Sequence, residues 1–348
     1  MSTSAAPVVV VGAGISGATC ARTLHDAGVA VRLVDRGRRV GGRLGARRLG
    51  PYGDRRTDLG GSYLTVDHPD LQAQVDDWER RGLARRWTDT FLALSPDAPA
   101  ESKAGPVRWA SPVALRSLVE DLADPVPTDG HAVADVTRGR DGRLAVDGQP
   151  AAGVVLAMPD PQARRLLGDG LPEAAAALAP AAAPRPRGDG REGHVVHDGW
   201  EPIIAVAAWW PERTWDAVSP HGHFEGAFVN DDPVLSWVAD DGRRHGDDVP
   251  LLVAHSTPDH AAEHLVDPPS AAPAMLAALA DRLGVGEPVG HHVHRWSVAR
   301  PSHTREAAYH LGDGLVGVCG DAWGGAPKVQ TAYLSGLELG RRLVAELT

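Results

Sequence analysis

The stretch "VVVVGAGISGATCARTLHDAGVAVRLVD" (residues 8–35) decides the fold class. Its four consecutive valines suit a strand buried on both faces. "GAGISG" follows, then "ATCARTLHDAG" at helical spacing, and Gly28 ends that helix before a second apolar run, "VAVRLVD". Gly12, Gly14 and Gly17 hold the G-x-G-x-x-G spacing between strand and helix. Gly12 permits the tight turn. Gly14 lets the backbone approach a pyrophosphate at the helix N-terminus, where unpaired N–H groups and the helix dipole favour an anion. Gly17 lets the helix lie close to the sheet, helped by the small Ala21. Asp35 ends the second strand about twenty residues on, placed to accept hydrogen bonds from ribose hydroxyls. The glycines alone would fit a plain strand–helix turn; with strand, helix and acid in register they point to a bound dinucleotide.

The next residues, "VDRGRRVGGR" (34–43), choose among dinucleotides. An acid ending the second strand, then Gly-Gly-Arg a few residues later, resembles the flavin-binding signature of the amine-oxidase superfamily. The resemblance implies that Gly41 and Gly42 pass close to an FAD and that Arg43 contacts it near its phosphates. Arg38 and Arg39 read as a solvated basic turn.

Outward from this segment, composition sets bounds. The chain has 348 residues, more than one core usually supports, so two domains are expected. At 43% hydrophobic and 23% charged residues it is an ordinary globular sequence. A net charge of −10 argues against a nucleic-acid or anionic-membrane partner. Lysine occurs only at 103 and 328, a compositional bias alongside abundant Arg, Ala, Gly and Pro. Two cysteines, Cys20 and Cys319, make neither a disulfide framework nor a Cys-rich zinc site. "MSTSAAP" does not read as a secretory signal. "IIAVAAWW" (203–210) falls far short of the roughly 20 residues of a membrane span. The expectation is a cytoplasmic protein.

Further along, "HPDLQAQVDDWERRGLARRW" reads as an amphipathic helix, apolar at Leu71, Val75, Trp78 and Leu83. "SPVALRSLVEDLAD" (111–124) reads as another, with Ser111 as N-cap and Pro112 first. From His131 to Pro159 apolar and polar residues alternate around a turn at Asp141–Gly142, as in an antiparallel meander ending in a buried strand. Residues 180–193 read as a Pro/Arg/Gly loop. Runs at 203–210, 234–239 and 251–257 suggest a second sheet. "GLVGVCGD" is a last strand, and "TAYLSGLELGRRLVAEL" a last helix.

Several of these segments resemble those of the renalases: "DLGGSYLT" (58–65), "VVLAMPDPQARRLLGD", "SWVADD" (236–241), "LLVAHSTPDHAAEHL" (251–265), "HRWSVARP" (294–301) and "GVCGDAWGGAPKVQTAYLSG". The resemblance covers nearly the whole chain in order. It implies an FAD held non-covalently by Gly12, Gly14, Ser16, Gly17, Asp35 and Arg36, then by Gly42, Arg43, Gly60, Gly61 and Ser62. Val133, Gly320, Asp321, Val329 and Thr331 complete that set. Three departures, at Gln330, Tyr333 and the 180–193 loop, are expected to touch the substrate side.

Asp321, after "VGVCG", would accept from a sugar or ribityl chain. The helix starting near Val329–Thr331 would aim its N-terminus, with about half an elementary charge, at the flavin's pyrimidine edge. Lys328 reads either as an added charge there or as an exposed loop lysine. Trp296 reads either as a wall beside the flavin or as core. Trp209 and Trp210, adjacent on a strand, must face opposite ways, leaving one to line a cavity. There is no G-x-S-x-G and no cysteine–histidine pair, which fits an enzyme whose cofactor carries the hard chemistry. "HAAEH" (260–264) matches the H-x-x-E-H pattern of inverted zinc proteases, but no distant acidic ligand is indicated. His292 and His294 share a strand face. No metal is expected at either place.

The expected architecture is α/β: a discontinuous Rossmann-like FAD-binding domain (1–65, 105–160 and 298–348) with a mixed-sheet substrate domain (66–104 and 161–297). The renalase resemblance implies an FAD-dependent oxidase that takes a hydride from isomeric dihydronicotinamide dinucleotides and passes electrons to molecular oxygen, giving hydrogen peroxide. Such a donor needs no general base. The second reading is an amine or specialised-metabolite oxidase on the same fold. The third is a flavin-dependent isomerase or a non-catalytic flavin-binding protein. The partners expected are a small-molecule substrate and oxygen, with no nucleic acid and no membrane.

Overall fold

The computed structural model describes residues 6–180 and 199–348. The four valines of Val8–Val11 are all buried. They sit centrally in a six-stranded sheet ordered 310–312, 316–318, 153–156, 8–11, 31–35, 128–130. All neighbours run parallel except the hairpin of the first two. Alternation explains the double burial. Val8, Val10, Leu33 and Val155 face the helices, while Val9, Val11, Val34, Val154 and Leu156 face the opposite side. That second face is covered by the expected meander, strands Val136–Arg138, Leu144–Val146 and Gln149–Ala151.

Helix Ile15–Asp26 packs against the closing helix Val329–Leu347. Gly336 and Gly340, one turn apart, make the approach possible. A Cβ at Gly336 would overlap the Ser16 carbonyl, and one at Gly340 would lie 2.8 Å from the Cβ of Thr23.

The second sheet has eight strands, ordered 290–301, 200–209, 251–256, 235–240, 226–229, 85–95, 98–110, 64–65. It is mixed: all pairs are antiparallel except 226–229 with 85–95. One face, with Ile204, Val206 and Ala208, packs on helix Ala272–Leu283. The other, with Ala205, Ala207 and Trp209, meets Leu59 and Trp296. The expected divisions at 104/105 and 297/298 fall inside the strands Ala98–Ala110 and Gly290–Pro301. Leu64–Thr65 pairs with Trp109 and Arg108 at the end of Ala98–Ala110, within the same expected domain. Long-range pairing sets these limits, and composition does not register it.

Helix Pro69–Arg80 buries Leu71, Val75 and Trp78 as its spacing predicts. The helix expected from Ser111 starts later, at Arg116. The Ser111 hydroxyl caps a separate turn, accepting from the amides of Val113 and Ala114, and the Leu115 amide donates to the Asp58 carboxylate. Trp209 and Trp210 do face opposite ways, but Trp210 lies in the core, its Nε1 donating to the Gly286 carbonyl at 2.7 Å. Of the loop expected at 180–193, residues 181–193 lie outside the described residues.

Candidate active site

The turn after the first strand is built as its glycines require. Gly12 has φ +106°, and a Cβ there would lie 2.5 Å from the Ala157 carbonyl oxygen. Gly17 packs so closely that a Cβ would overlap the Gly12 carbonyl. At Gly14 the space is open, with no atom within 4 Å. It is the N-cap of the helix and no side chain caps the exposed amides. The Ser16 hydroxyl is buried without a hydrogen-bond partner among the described residues. A helix terminus with free N–H groups, an unpaired hydroxyl and room for an anion fits a pyrophosphate.

Asp35 is held by two backbone donors, Ala13 N at 2.8 Å and Gly37 N at 2.6 Å. So held, Asp35 lines the cavity edge. Arg36, Arg38 and Arg39 are exposed along the same edge. Gly41 and Gly42 both take positive φ, +129° and +52°, so only glycine makes this bend easily. A Cβ on Gly42 would come within 3.0 Å of the Gly14 Cα, which brings the two glycine segments together. The Arg43 guanidinium reaches across to the closing segment, donating to Asp321 Oδ2 at 2.7 Å and to the Ala299 carbonyl at 2.8 Å.

Gly60 and Gly61 lie against the backbone of Arg43; the Gly61 amide donates to its carbonyl at 3.0 Å. Trp296 covers this segment. Its Nε1 donates to the Leu59 carbonyl at 2.9 Å and its ring edge would touch Cβ atoms built at Gly45 and Gly60. Trp296 therefore lines the cavity. Ser62 accepts from Trp237 Nε1 at 3.0 Å. The backbone of this wall is gripped from behind by the fully buried Arg244. It donates to the carbonyls of Asp58 at 2.9 Å and Ser62 at 3.4 Å and pairs with Asp241.

The closing segment differs in detail from expectation. Gly320, Asp321, Lys328 and Val329 line the cavity, Lys328 being exposed at the N-cap of the last helix. Thr331 does not; its hydroxyl donates to the Ala326 carbonyl at 2.6 Å. Val133 does not either, because its side chain belongs to the core under the meander. Gln330 and Tyr333 are packing residues rather than substrate-side ones. Gln330 Oε1 accepts from Asp67 N at 2.8 Å, and Tyr333 is buried in the helix-side core.

These walls enclose a cavity of about 2280 Å³. Beyond the dinucleotide turn it is flanked by Tyr63, Phe228 and Trp237, which pack with Phe91 at ring separations of 4.8 to 5.9 Å. Among the described residues, eleven arginines and Lys328 line the cavity against three aspartates. All three acids are engaged: Asp35 with backbone amides, Asp160 with Arg305 at 2.8 Å, Asp321 with Arg43. Burial pushes His294 down to about 4, helped by the charge of Arg47, and pushes the half-buried His255 down to about 4 as well. Both imidazoles are therefore neutral at pH 7.

Two groups of metal-type ligands occur among the described residues. His260, Glu263 and His264 lie together, but His264 Nδ1 is engaged by the Ser270 hydroxyl at 2.6 Å. In the second group Asp241 pairs with Arg55 and Arg244, while the Asp58 carboxylate accepts from the Leu115 amide and meets His245 Nε2 at 3.2 Å. Both cysteines are buried, and burial raises both thiols, Cys319 to about 12. Neither is an activated nucleophile.

Sequence reasoning missed Arg108, Phe228, Trp237 and Trp323 as cavity residues. Trp323 carries an indole N–H that is buried and unpartnered among the described residues. Only the glycine density around 58–63 hinted at this wall.

Comparison with known proteins agrees with this geometry. Residues 10–78 match the family described as NAD(P)-binding Rossmann-like domain, and residues 92–339 match flavin containing amine oxidoreductase. (S)-6-hydroxynicotine oxidase of Paenarthrobacter nicotinovorans is 33% identical over 136 residues, 38% of this chain and 30% of that protein. The chain thus aligns with less than a third of that relative's length. Cyclohexylamine oxidase from Brevibacterium oxydans superposes with a TM-score of 0.73 at 14% identity, over 98% of this chain and 99% of that one. A redesigned putrescine oxidase gives 0.71 at 16% identity, with 98% and 99% covered. At these identities the structures establish a shared fold. No helix among the described residues is long and apolar enough to cross a membrane.

Proposed function

The chain belongs to the flavin-containing amine oxidoreductase family, with FAD as its cofactor, and from that premise we propose that it oxidises a small amine. FAD, held non-covalently, would supply the two-electron acceptor for a hydride and the route of those electrons to dioxygen. The helix terminus at Gly14–Ser16 takes the pyrophosphate, Asp35 the adenosine ribose, and the Arg43–Asp321 pair the region between ribityl and phosphate. The N-terminus of the closing helix, with Lys328, adds positive potential where charge accumulates on reduction.

The observation that carries the amine reading is an aromatic wall with no spare carboxylate among the described residues. Tyr63, Phe228, Trp237 and Trp296 border the Gly60–Ser62 segment, and all three cavity aspartates are engaged. An ammonium would find no counter-ion there, and the surrounding cations disfavour it further. The bound amine is neutral, which is the form that gives up a hydride. His294, itself neutral, offers a ring lone pair to an N–H at the cavity wall. The absence of a free carboxylate also disfavours diamines with a distant second ammonium. The relatives' names, a hydroxynicotine oxidase and a cyclohexylamine oxidase, support a cyclic or aryl amine.

A second reading keeps the resemblance to renalases: isomeric dihydronicotinamide dinucleotides, whose phosphates the arginine-rich lining would accept. Anaerobic mixing with both substrate classes decides between them. Bleaching of the flavin's visible absorption by an amine, with hydrogen peroxide formed on admitting oxygen, is expected. Bleaching by the dihydronicotinamide isomers alone would sink the amine reading.

A further inference from the structure

Arg108 is a buried cavity cation set apart from the dinucleotide turn. Most of the cavity arginines fall between 36 and 48, beside the phosphate turn. Arg108 lies apart, on the strand Ala98–Ala110, among Tyr63, Phe91, Phe228 and Trp237. It is only 7% exposed, yet no carboxylate pairs with it among the described residues. Its guanidinium lies 4.3 Å from the Phe91 ring centroid, and Nη1 donates to the Asp89 carbonyl. The remaining nitrogens have no hydrogen-bond partner among the described residues. Gly105 makes room for them, since a Cβ there would come within 2.7 Å of Nη2. A charge so placed is expensive unless something pairs with it.

We propose that the substrate carries a carboxylate, which pairs with Arg108 while the substrate's apolar body lies against Tyr63, Phe228 and Trp237. This rests on reading the cavity as the oxidase site and adds a substrate class to it: amines that are also acids. Three facts converge on it. The guanidinium fork is planar and matches a carboxylate with two parallel hydrogen bonds. The buried rings of Phe91 and Trp237 lower the local dielectric beside the guanidinium, which strengthens such a pair and makes a doubly charged phosphate costlier to desolvate. The lining is cationic in a protein whose net charge is −10, so the cavity reverses the molecule's field and draws anions inward.

The test uses the FAD-loaded protein and a readout independent of turnover. Benzoate, benzamide and phenyl phosphate are titrated in turn, following the perturbation of the flavin's visible spectrum. Benzoate should bind roughly 10- to 100-fold more tightly than benzamide, the range for a hydrogen bond to a charged group, and more tightly than phenyl phosphate. Arg108→Met should abolish the preference for benzoate over benzamide without lowering FAD content, and Arg108→Lys should keep part of it. Equal binding of benzoate and benzamide by the unaltered protein overturns the proposal, whether or not the variants fold. So does a preference that survives in Arg108→Met, while tighter phenyl phosphate overturns the carboxylate assignment. The two readings fail separately. If benzoate binds through Arg108 but no amine bleaches the flavin, the amine reading falls; if amines bleach it but benzoate is ignored, this inference falls.

Discussion

Replacing Arg244 by Met should destabilise the protein by about 3–5 kcal/mol, the range for removing one partner of a buried ion pair. Arg244 is fully buried and pairs with the equally buried Asp241. It also donates to the Asp58 carbonyl at 2.9 Å. Met preserves most of the volume, so little cavity forms and the loss is mainly electrostatic. Asp241 keeps Arg55 at 2.6 Å, which holds the loss within that range. With an unfolding entropy of about 2.1 cal/mol/K per residue over 348 residues, Tm should fall by ~4–7 °C. Tryptophan fluorescence during heating measures this with and without FAD. The same change releases the carbonyls of Asp58 and Ser62 behind the cavity wall, so FAD retention should fall too. Adding Asp241→Asn should recover part of the loss, because the buried carboxylate that lost one of its two arginines is then neutral, while Arg55 keeps Asp247 at 2.5 Å. A Tm within about 1 °C of the parent, or a double variant worse than the single one, would refute the reasoning.

Gly14→Ala should leave apo stability within about 0.5 kcal/mol, since no atom lies within 4 Å and φ is −78°. Its methyl group enters the pyrophosphate space, so the purified protein should lose FAD; undiminished FAD content contradicts the assignment. Gly336→Ala should cost about 1–3 kcal/mol in urea unfolding, because its Cβ overlaps the Ser16 carbonyl; an unchanged midpoint would mean that the two helices separate easily. Burial lowers His255 and His294 to about 4, so the unfolded chain takes up protons first as pH falls. Their contribution is full above about pH 6.5 and lost on descending toward about pH 4. His255→Asn should flatten that slope in urea titrations, and an identical slope would exclude His255 as its source.

Much of the cofactor side was legible because its chemistry is local. Gly12, Gly14, Gly17 and Asp35 act through spacing along a single strand–turn–helix–strand, and Gly41–Arg43 follow within a few residues. Val133 and Thr331 were read as cofactor contacts, yet Val133 packs under the meander and the Thr331 hydroxyl donates to Ala326 in the loop ahead of its helix. Gln330 and Tyr333 looked like substrate-side departures, but they tie the last helix to residue 67 and to the core. Sequence order cannot show which side of a helix faces a neighbour that arrives from another part of the chain.

The sequence by itself determined the dinucleotide turn, the helix behind it and the succession of strands, since those depend on residues within a few positions of one another. Only long-range packing decided what lines the far side of the cavity. Trp237 meets Ser62 across 175 residues and Arg244 meets Asp58 across 186. Arg108 lies among the rings because a mixed eight-stranded sheet places its strand beside theirs. Contacts of that span arise from strand pairing and burial, and no periodicity along the chain encodes them.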